Sequence, residues 1–164
     1  MSRLDSVIRR LQAQRACLER AAELIRQVPG PVLELGLGAG RTFDHLRALC
    51  PERRIFVFER EVAAHPDCVP DGAHLLLGDI HETLPAAARR FAGTVALIHS
   101  DIGTGDERLN GRLAGFVSGH IAGLLCPGGV VVSDQSLASP GMGALPLPQE
   151  VRPGRYFMFQ APAP

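Results

Sequence analysis

Five short apolar runs, set among stretches of helical periodicity, organise this 164-residue chain: Pro31–Leu35, Arg54–Glu59, Ala73–Leu77, Thr94–His99 and Gly129–Ser133. Strands that are apolar on both faces and alternate with helices belong to a parallel sheet covered on both sides. Helices are expected after the first strand (Phe43, Leu46 and Leu49 inward), briefly around Val62 to Ala64, over Ile80 to Phe91, and over Asp106 to Leu125. Ahead of them, Leu4, Ile8, Leu11, Leu18, Ala22 and Ile25 recur at helical spacing, predicting one amphipathic helix from Leu4 to about Val28 that Pro29-Gly30-Pro31 stops. The Gly- and Pro-rich tail ends in Arg155–Phe159, an expected antiparallel edge strand paired with residues near 144 to 151.

With 46% hydrophobic residues the chain can bury one substantial core, and it is too short for two ordinary domains. One domain over residues 1–164 is expected, with an N-terminal helix (1–28), a core (31–134) and a shortened C-terminal segment (135–164). The formal net charge is zero, which leaves no long-range attraction to nucleic acid or to an anionic membrane. All 17 basic residues are arginine. Without lysine there is no P-loop phosphate site, no Schiff-base or pyridoxal chemistry and no kinase phosphate-pairing amine. Cys17, Cys50, Cys68 and Cys126 form no C-x-x-C pair, and neither a signal peptide nor a membrane-length apolar run is visible, so a cytoplasmic protein with reduced thiols is expected.

Gly111, Gly115, Gly119 and Gly123 recur at every fourth position of one predicted helix, each at a cost of about 1 kcal/mol against Ala. Tight packing on the sheet is the expected use of this stripe, with a helix–helix dimer contact as the alternative.

The chemically informative stretch is Glu34-Leu35-Gly36-Leu37-Gly38-Ala39-Gly40-Arg41-Thr42, directly after a strand and opening a helix. Glycines let the backbone turn sharply and a ligand approach closely, and the helix N-terminus beyond offers free N–H groups. A dinucleotide site wants G-x-G-x-x-G, but the spacing here is G-x-G-x-G, with Arg41 where the third glycine would stand. Glu34, two residues before the first glycine, suits a ligand that carries ammonium and sulfonium charge and opposes a pyrophosphate.

Glu34 to Gly40 resembles motif I (D/E-x-G-x-G-x-G) of the class I S-adenosyl-L-methionine-dependent methyltransferases, and further matches follow in the order that family uses. The resemblance implies an α/β fold, a Rossmann-like doubly wound and mostly parallel sheet, with S-adenosyl-L-methionine as cofactor. Glu59, which closes the second strand beside Arg60, matches the acid that binds the ribose hydroxyls. Gly78-Asp79-Ile80 matches the segment whose acid reaches the adenine amine and whose apolar residue packs on the ring; an N-cap role for Asp79 is compatible with this. Leu124 to Ser133 is similar to the family's L-x-P-G-G approach to the fifth strand, and the matches span residues 31 to 134. On this reading Glu34, Leu35, Gly36, Gly38, Gly40, Thr42, Glu59, Arg60, Gly78, Asp79, Ile80, Ser100 and Asp101 form the cofactor site.

Asp101 follows the fourth strand at the carboxyl edge, where ligands bind in open α/β sheets. The resemblance makes it the catalytic candidate, orienting the acceptor or taking its proton, with a loop-fixing role as the alternative. Strand alternation is read as pointing His99 away from Asp101's neighbours, and a structural histidine is expected. Asp101 with Asp134-Gln135 is similar to the Asp…Asp-Asn metal set of small-molecule O-methyltransferases. Gln135 departs from that set and its usual Lys is missing, so no metal is assigned.

Only residues 135–164 remain where the family normally adds a helix and two antiparallel strands around the acceptor. The acceptor pocket is therefore small, open, or completed by the N-terminal helix or a second subunit. A homo-oligomer acting on a small-molecule acceptor is expected, with neither nucleic acid nor membrane as partner. A non-catalytic S-adenosyl-L-methionine-binding module is the alternative, whereas a nicotinamide-dependent reductase is opposed by Glu34, by the loop spacing and by the lack of a Y-x-x-x-K dyad.

Overall fold

In a computed structural model, which describes residues 2–163, the first apolar run forms β1 (Val32–Leu35), an interior strand of a seven-stranded sheet. β2 (Ile55–Glu59) and β3 (Leu75–Leu77) extend the sheet on one side, and β4 (Val95–Ser100) and β5 (Leu125–Ser133) on the other, all parallel. β7 (Phe157–Gln160) runs antiparallel beside β5, and β6 (Gly143–Ala144) completes the order β3-β2-β1-β4-β5-β7-β6. The chain thus winds outward from β1 to β3 and then restarts at β4. Strand order reverses between β1 and β4, the place where an open α/β sheet leaves a crevice at its carboxyl edge.

Alternate residues of each central strand feed two cores, which is why β1 is buried throughout. Val32, Val57, Ala96 and Val130 meet α1 (Arg3–Leu24) and α2 (Arg41–Leu49); Leu33, Phe56, Ile98 and Val131 meet α3 (Ile80–Phe91) and α4 (Glu107–Leu124). Local chemistry sets the helix ends. Ser2 and Asp5 form a capping box on α1, Asp79 caps α3, and Asp106 caps α4. α1 stops at Leu24, short of Val28, where Arg53 donates to the carbonyls of Ile25 (2.6 Å) and Gly30 (2.8 Å) and satisfies the groups the helix leaves open. Among the described residues, no helix is long and apolar enough to cross a membrane.

Three expectations are corrected. No helix forms around Val62 to Ala64. A 3-10 turn at Pro66–Cys68 takes its place, because Pro66 sits well at a first helical position but disfavours helical backbone at His65. β7 is not the sheet edge: it lies between β5 and β6, and the two-residue β6 forms the edge. The glycine stripe does not pack on the sheet. A Cβ added at Gly111, Gly115, Gly119 or Gly123 would meet nothing within 4 Å. Val117 and Ile121 take the sheet side of α4, and glycines offset from them by two residues fall on the far side of the helix.

With nothing opposite these glycines, Gly115→Ala and Gly119→Ala should each stabilise the protein by about 0.5–1 kcal/mol, read as a higher urea midpoint. A lower midpoint would mean that another surface covers the stripe.

Candidate functional site

The β1–α2 loop turns on three glycines of positive φ: Gly36 (+90°), Gly38 (+50°) and Gly40 (+78°). A side chain on Gly36 would start 2.6 Å from Ile102 Cγ2, and one on Gly40 would start 2.7 Å from the Cys68 carbonyl oxygen, so both are needed for the loop to lie down. A Cβ on Gly38 would meet nothing within 4 Å, which leaves its backbone open to a ligand.

Glu59 reaches this loop from the end of β2. One carboxylate oxygen accepts from the N–H groups of Leu37 (2.8 Å) and Gly38 (3.0 Å), the other from Arg60 (2.7 Å) and Glu61 (3.3 Å). Partial burial pushes its carboxyl up, but the four backbone donors together hold it below the usual carboxylate range. Asp79 accepts from the His81 N–H at 2.8 Å, with His81 Nδ1 also at 2.8 Å, and these contacts keep it ionised well into the acid range. Gly78 (φ +143°) donates to the Glu59 carbonyl at 2.9 Å and so brings the β2 and β3 ends together. The result is a cleft of about 370 Å³ lined by Gly36, Gly38, Glu59, Asp79, Ile80 and Asp101, with Arg60 and Gly78 on the same wall.

Leu35 and Ser100 are buried behind the loop, and Gly40 is buried at its end. Glu34 is completely buried: one carboxylate oxygen accepts from the Thr42 hydroxyl, and the other lies 2.7 Å from His99 Nδ1. The two are register neighbours on β1 and β4. Burial pushes the His99 pKa down, but the Glu34 charge and hydrogen bond outweigh it and leave it raised. His99 Nε2 lies 3.3 Å from the Tyr156 hydroxyl. The expected orientation of His99 is corrected here, since residues two apart share a strand face. His99 and Asp101 both point toward α1, where Gln14 donates to Asp101 and lies beside the Tyr156 hydroxyl.

α1 supports Asp101 from behind the cleft. Gln14 Nε2 donates to Asp101 at 2.7 Å, and Arg10 reaches the same oxygen at 3.3 Å. Asp134 extends beyond β5 beside Asp101, and its Oδ1 is buried with no hydrogen-bond partner among the described residues. Burial, and then the adjacent Asp101 charge, raise its pKa to about 6. Arg10, Gln14 and Tyr156 carry no local signature, and their distance along the chain from Asp101 hides them from a sequence reading. Among the described residues, no group of three or more His, Cys, Asp or Glu side chains is arranged to hold a metal ion.

These groups set the pH dependence of folding. His99, with its pKa raised in the fold, contributes stability that is complete below its unfolded value of about 6.5 and is lost as pH rises through the folded value. Asp134, also raised, costs stability progressively as pH rises from its unfolded value of about 3.9 to its folded value of about 6, and nothing further above it. The thermal midpoint should therefore fall as pH rises above about 6.5, where His99 begins to lose its proton in the unfolded chain, and Asp134→Asn should remove a separate loss between about pH 4 and 6. A midpoint that is flat or rising above about pH 6.5, or an Asp134→Asn variant with the same profile as wild type between about pH 4 and 6, would contradict the assignment.

A family model for S-adenosyl-L-methionine methyltransferases matches residues 1–161. Comparison with curated protein sequences gives no match. Among solved structures, an S-adenosyl-L-methionine methyl transferase from Silicibacter pomeroyi DSS-3 shares 47% identity over 98% of each chain, with a TM-score of 0.92. Two more distant structures show the same fold. Human methyltransferase-like protein 13 in complex with SAH has 13% identity and a TM-score of 0.55, covering 93% of this chain and 82% of its own. SAH-bound PaMTH1 from Podospora anserina has 15% identity and a TM-score of 0.52, covering 98% and 79%. With its glycine loop, its two strand-end acids and this match over nearly its whole length, the chain belongs to the S-adenosyl-L-methionine methyltransferase family, is an enzyme of that class, and uses S-adenosyl-L-methionine as its cofactor.

Proposed function

We propose that the cleft between the glycine loop and Asp79 holds the cofactor, and that Asp101 marks the side from which a small-molecule acceptor approaches. The observation that carries this reading is the convergence of Gly36, Gly38, Glu59, Asp79 and Asp101 on one cleft at the point where strand order reverses. Glu59 binds the ribose hydroxyls, and Asp79 and Ile80 take the adenine. Gly36 to Gly40 support the amino-acid end, and Arg60, Gly78, Leu35 and Ser100 shape the walls and floor. Glu34 acts from behind the loop, through Thr42 and His99. Bound there, S-adenosyl-L-methionine supplies a methyl group activated by a sulfonium charge. The chain's own residues have mainly to position the acceptor, and Asp101, steadied by Gln14 and Arg10, orients it and can accept its proton. Zero net charge and a modest cleft favour a metabolite over nucleic acid as the acceptor.

Calorimetric titration with S-adenosylhomocysteine tests the assignment. Glu59→Ala and Asp79→Ala should each weaken binding by about 10- to 100-fold, the loss of one or two charge-assisted hydrogen bonds, with circular dichroism unchanged. Unchanged affinity in either variant would contradict the role given to that acid. Tighter binding of reduced nicotinamide dinucleotide than of S-adenosylhomocysteine would overturn the reading of the cleft.

A further inference from the structure

We propose that Asp134 shares a proton with Asp101 and that this pair reads the charge on the cofactor's sulfur, so that the cationic donor binds with expulsion of the proton and its neutral product binds without. The inference rests on the placement of the cofactor proposed above.

β4 and β5 are parallel neighbours with Ser100 beside Ser133, and the Asp134 N–H donates to the Ser100 carbonyl at 3.2 Å. The residues that follow, Asp101 and Asp134, therefore leave the sheet side by side, close enough to hydrogen-bond through their side chains. Their hydrogen-bond partners are unevenly divided. Asp101 Oδ2 accepts from Gln14 and Arg10, whereas Asp134 lies beside the Gly103 backbone and has no donor at all for its buried Oδ1. A buried carboxylate oxygen without a donor is costly, and two touching carboxylates cannot both ionise cheaply. One proton between them removes both penalties.

The charges facing the pair come from every adjoining element. Glu34 on β1 is matched by His99 on β4, and Arg10 on α1 lies against Asp101 with 44% of its side chain exposed, so water screens it. Gln14 and the Tyr156 hydroxyl, ahead of β7, are neutral. Two carboxylates thus have cationic partners, and Asp134 is the surplus one that holds the proton. Asp101 also borders the glycine loop: its carbonyl oxygen lies 3.3 Å from where a Gly36 side chain would begin, and the residue is part of the cleft wall. A cation held over Gly36 takes over the proton's role, and the proton leaves to solvent. The donor carries that cation at sulfur and the product does not, while their adenosine, ammonium and carboxylate groups are the same. Proton expulsion therefore favours the donor, and uptake on loss of the sulfur charge eases product release.

Proton counting tests this without an acceptor: calorimetric titrations at pH 6, in two buffers of different ionisation enthalpy, with S-adenosyl-L-methionine and with S-adenosylhomocysteine. About half a proton should leave per donor bound, because Asp134 titrates near pH 6, and close to none per product. The preference for donor over product should rise about fivefold from pH 5 to pH 7, for a pair whose pKa drops by about one unit on binding. Asp134→Asn should abolish the release, and the wild-type comparison decides the matter even if that variant folds poorly. Equal proton counts for the two ligands, or release retained in Asp134→Asn, would overturn the inference alone. Binding of neither ligand would overturn the cofactor placement and this inference together.

Discussion

At the end of β1 a carboxylate with no exposure to water, Glu34, lies between α2 and β4. A charge there survives only if it is paired and hydrogen-bonded, and removing one partner of such a pair typically costs on the order of 3–5 kcal/mol. Thr42 in the first turn of α2 and His99 on β4 are those partners, so three elements are tied together where strand order reverses. His99 passes the connection to Tyr156, which lies beside the Gln14 that holds Asp101. The glycine loop and the far end of the cleft thus share one buried support. The N-terminal helix and the C-terminal segment, which would otherwise only cover a sheet face, become parts of the site.

The electrostatics of the edge suit a cationic ligand. Glu59, Asp79 and Asp101 line the cleft, and Asp134 stands behind Asp101. Backbone N–H groups stabilise Glu59 and Asp79 in their ionised forms, so both remain acceptors at neutral pH. A pyrophosphate would meet these charges unfavourably, whereas the hydroxyls, amines and sulfonium of S-adenosyl-L-methionine would not.

The fold was legible because its signals are local. The five apolar runs became β1 to β5, and the helix over Ile80 to Phe91 appeared with those bounds, since Asp79 caps its start and its inward residues keep a helical period. What escaped the sequence was tertiary. The glycines of α4 record only that no side chain is needed there, and whether a sheet or open space lies opposite depends on where Val117 and Ile121 point. The motif residues Gly36, Glu59 and Asp79 were readable because each sits at a strand end with fixed spacing. Gln14 and Tyr156 were not, because they reach Asp101 and His99 through packing between chain segments far apart in sequence. Asp134 was visible as a neighbour in the fifth-strand motif, but its orphaned oxygen appears only once β4 and β5 are side by side.

The central claim is that one cleft, at the carboxyl edge between the β1 loop and β3, holds the cofactor beside Asp101. A crystal structure with S-adenosylhomocysteine tests it most directly. The account predicts the ribose hydroxyls on the Glu59 carboxylate, the adenine beside Asp79 and Ile80, and the sulfur on the Asp101 side of Gly36. Density for the ligand elsewhere, such as the arginine-lined cavity between α1 and residues 150 to 155, would contradict it.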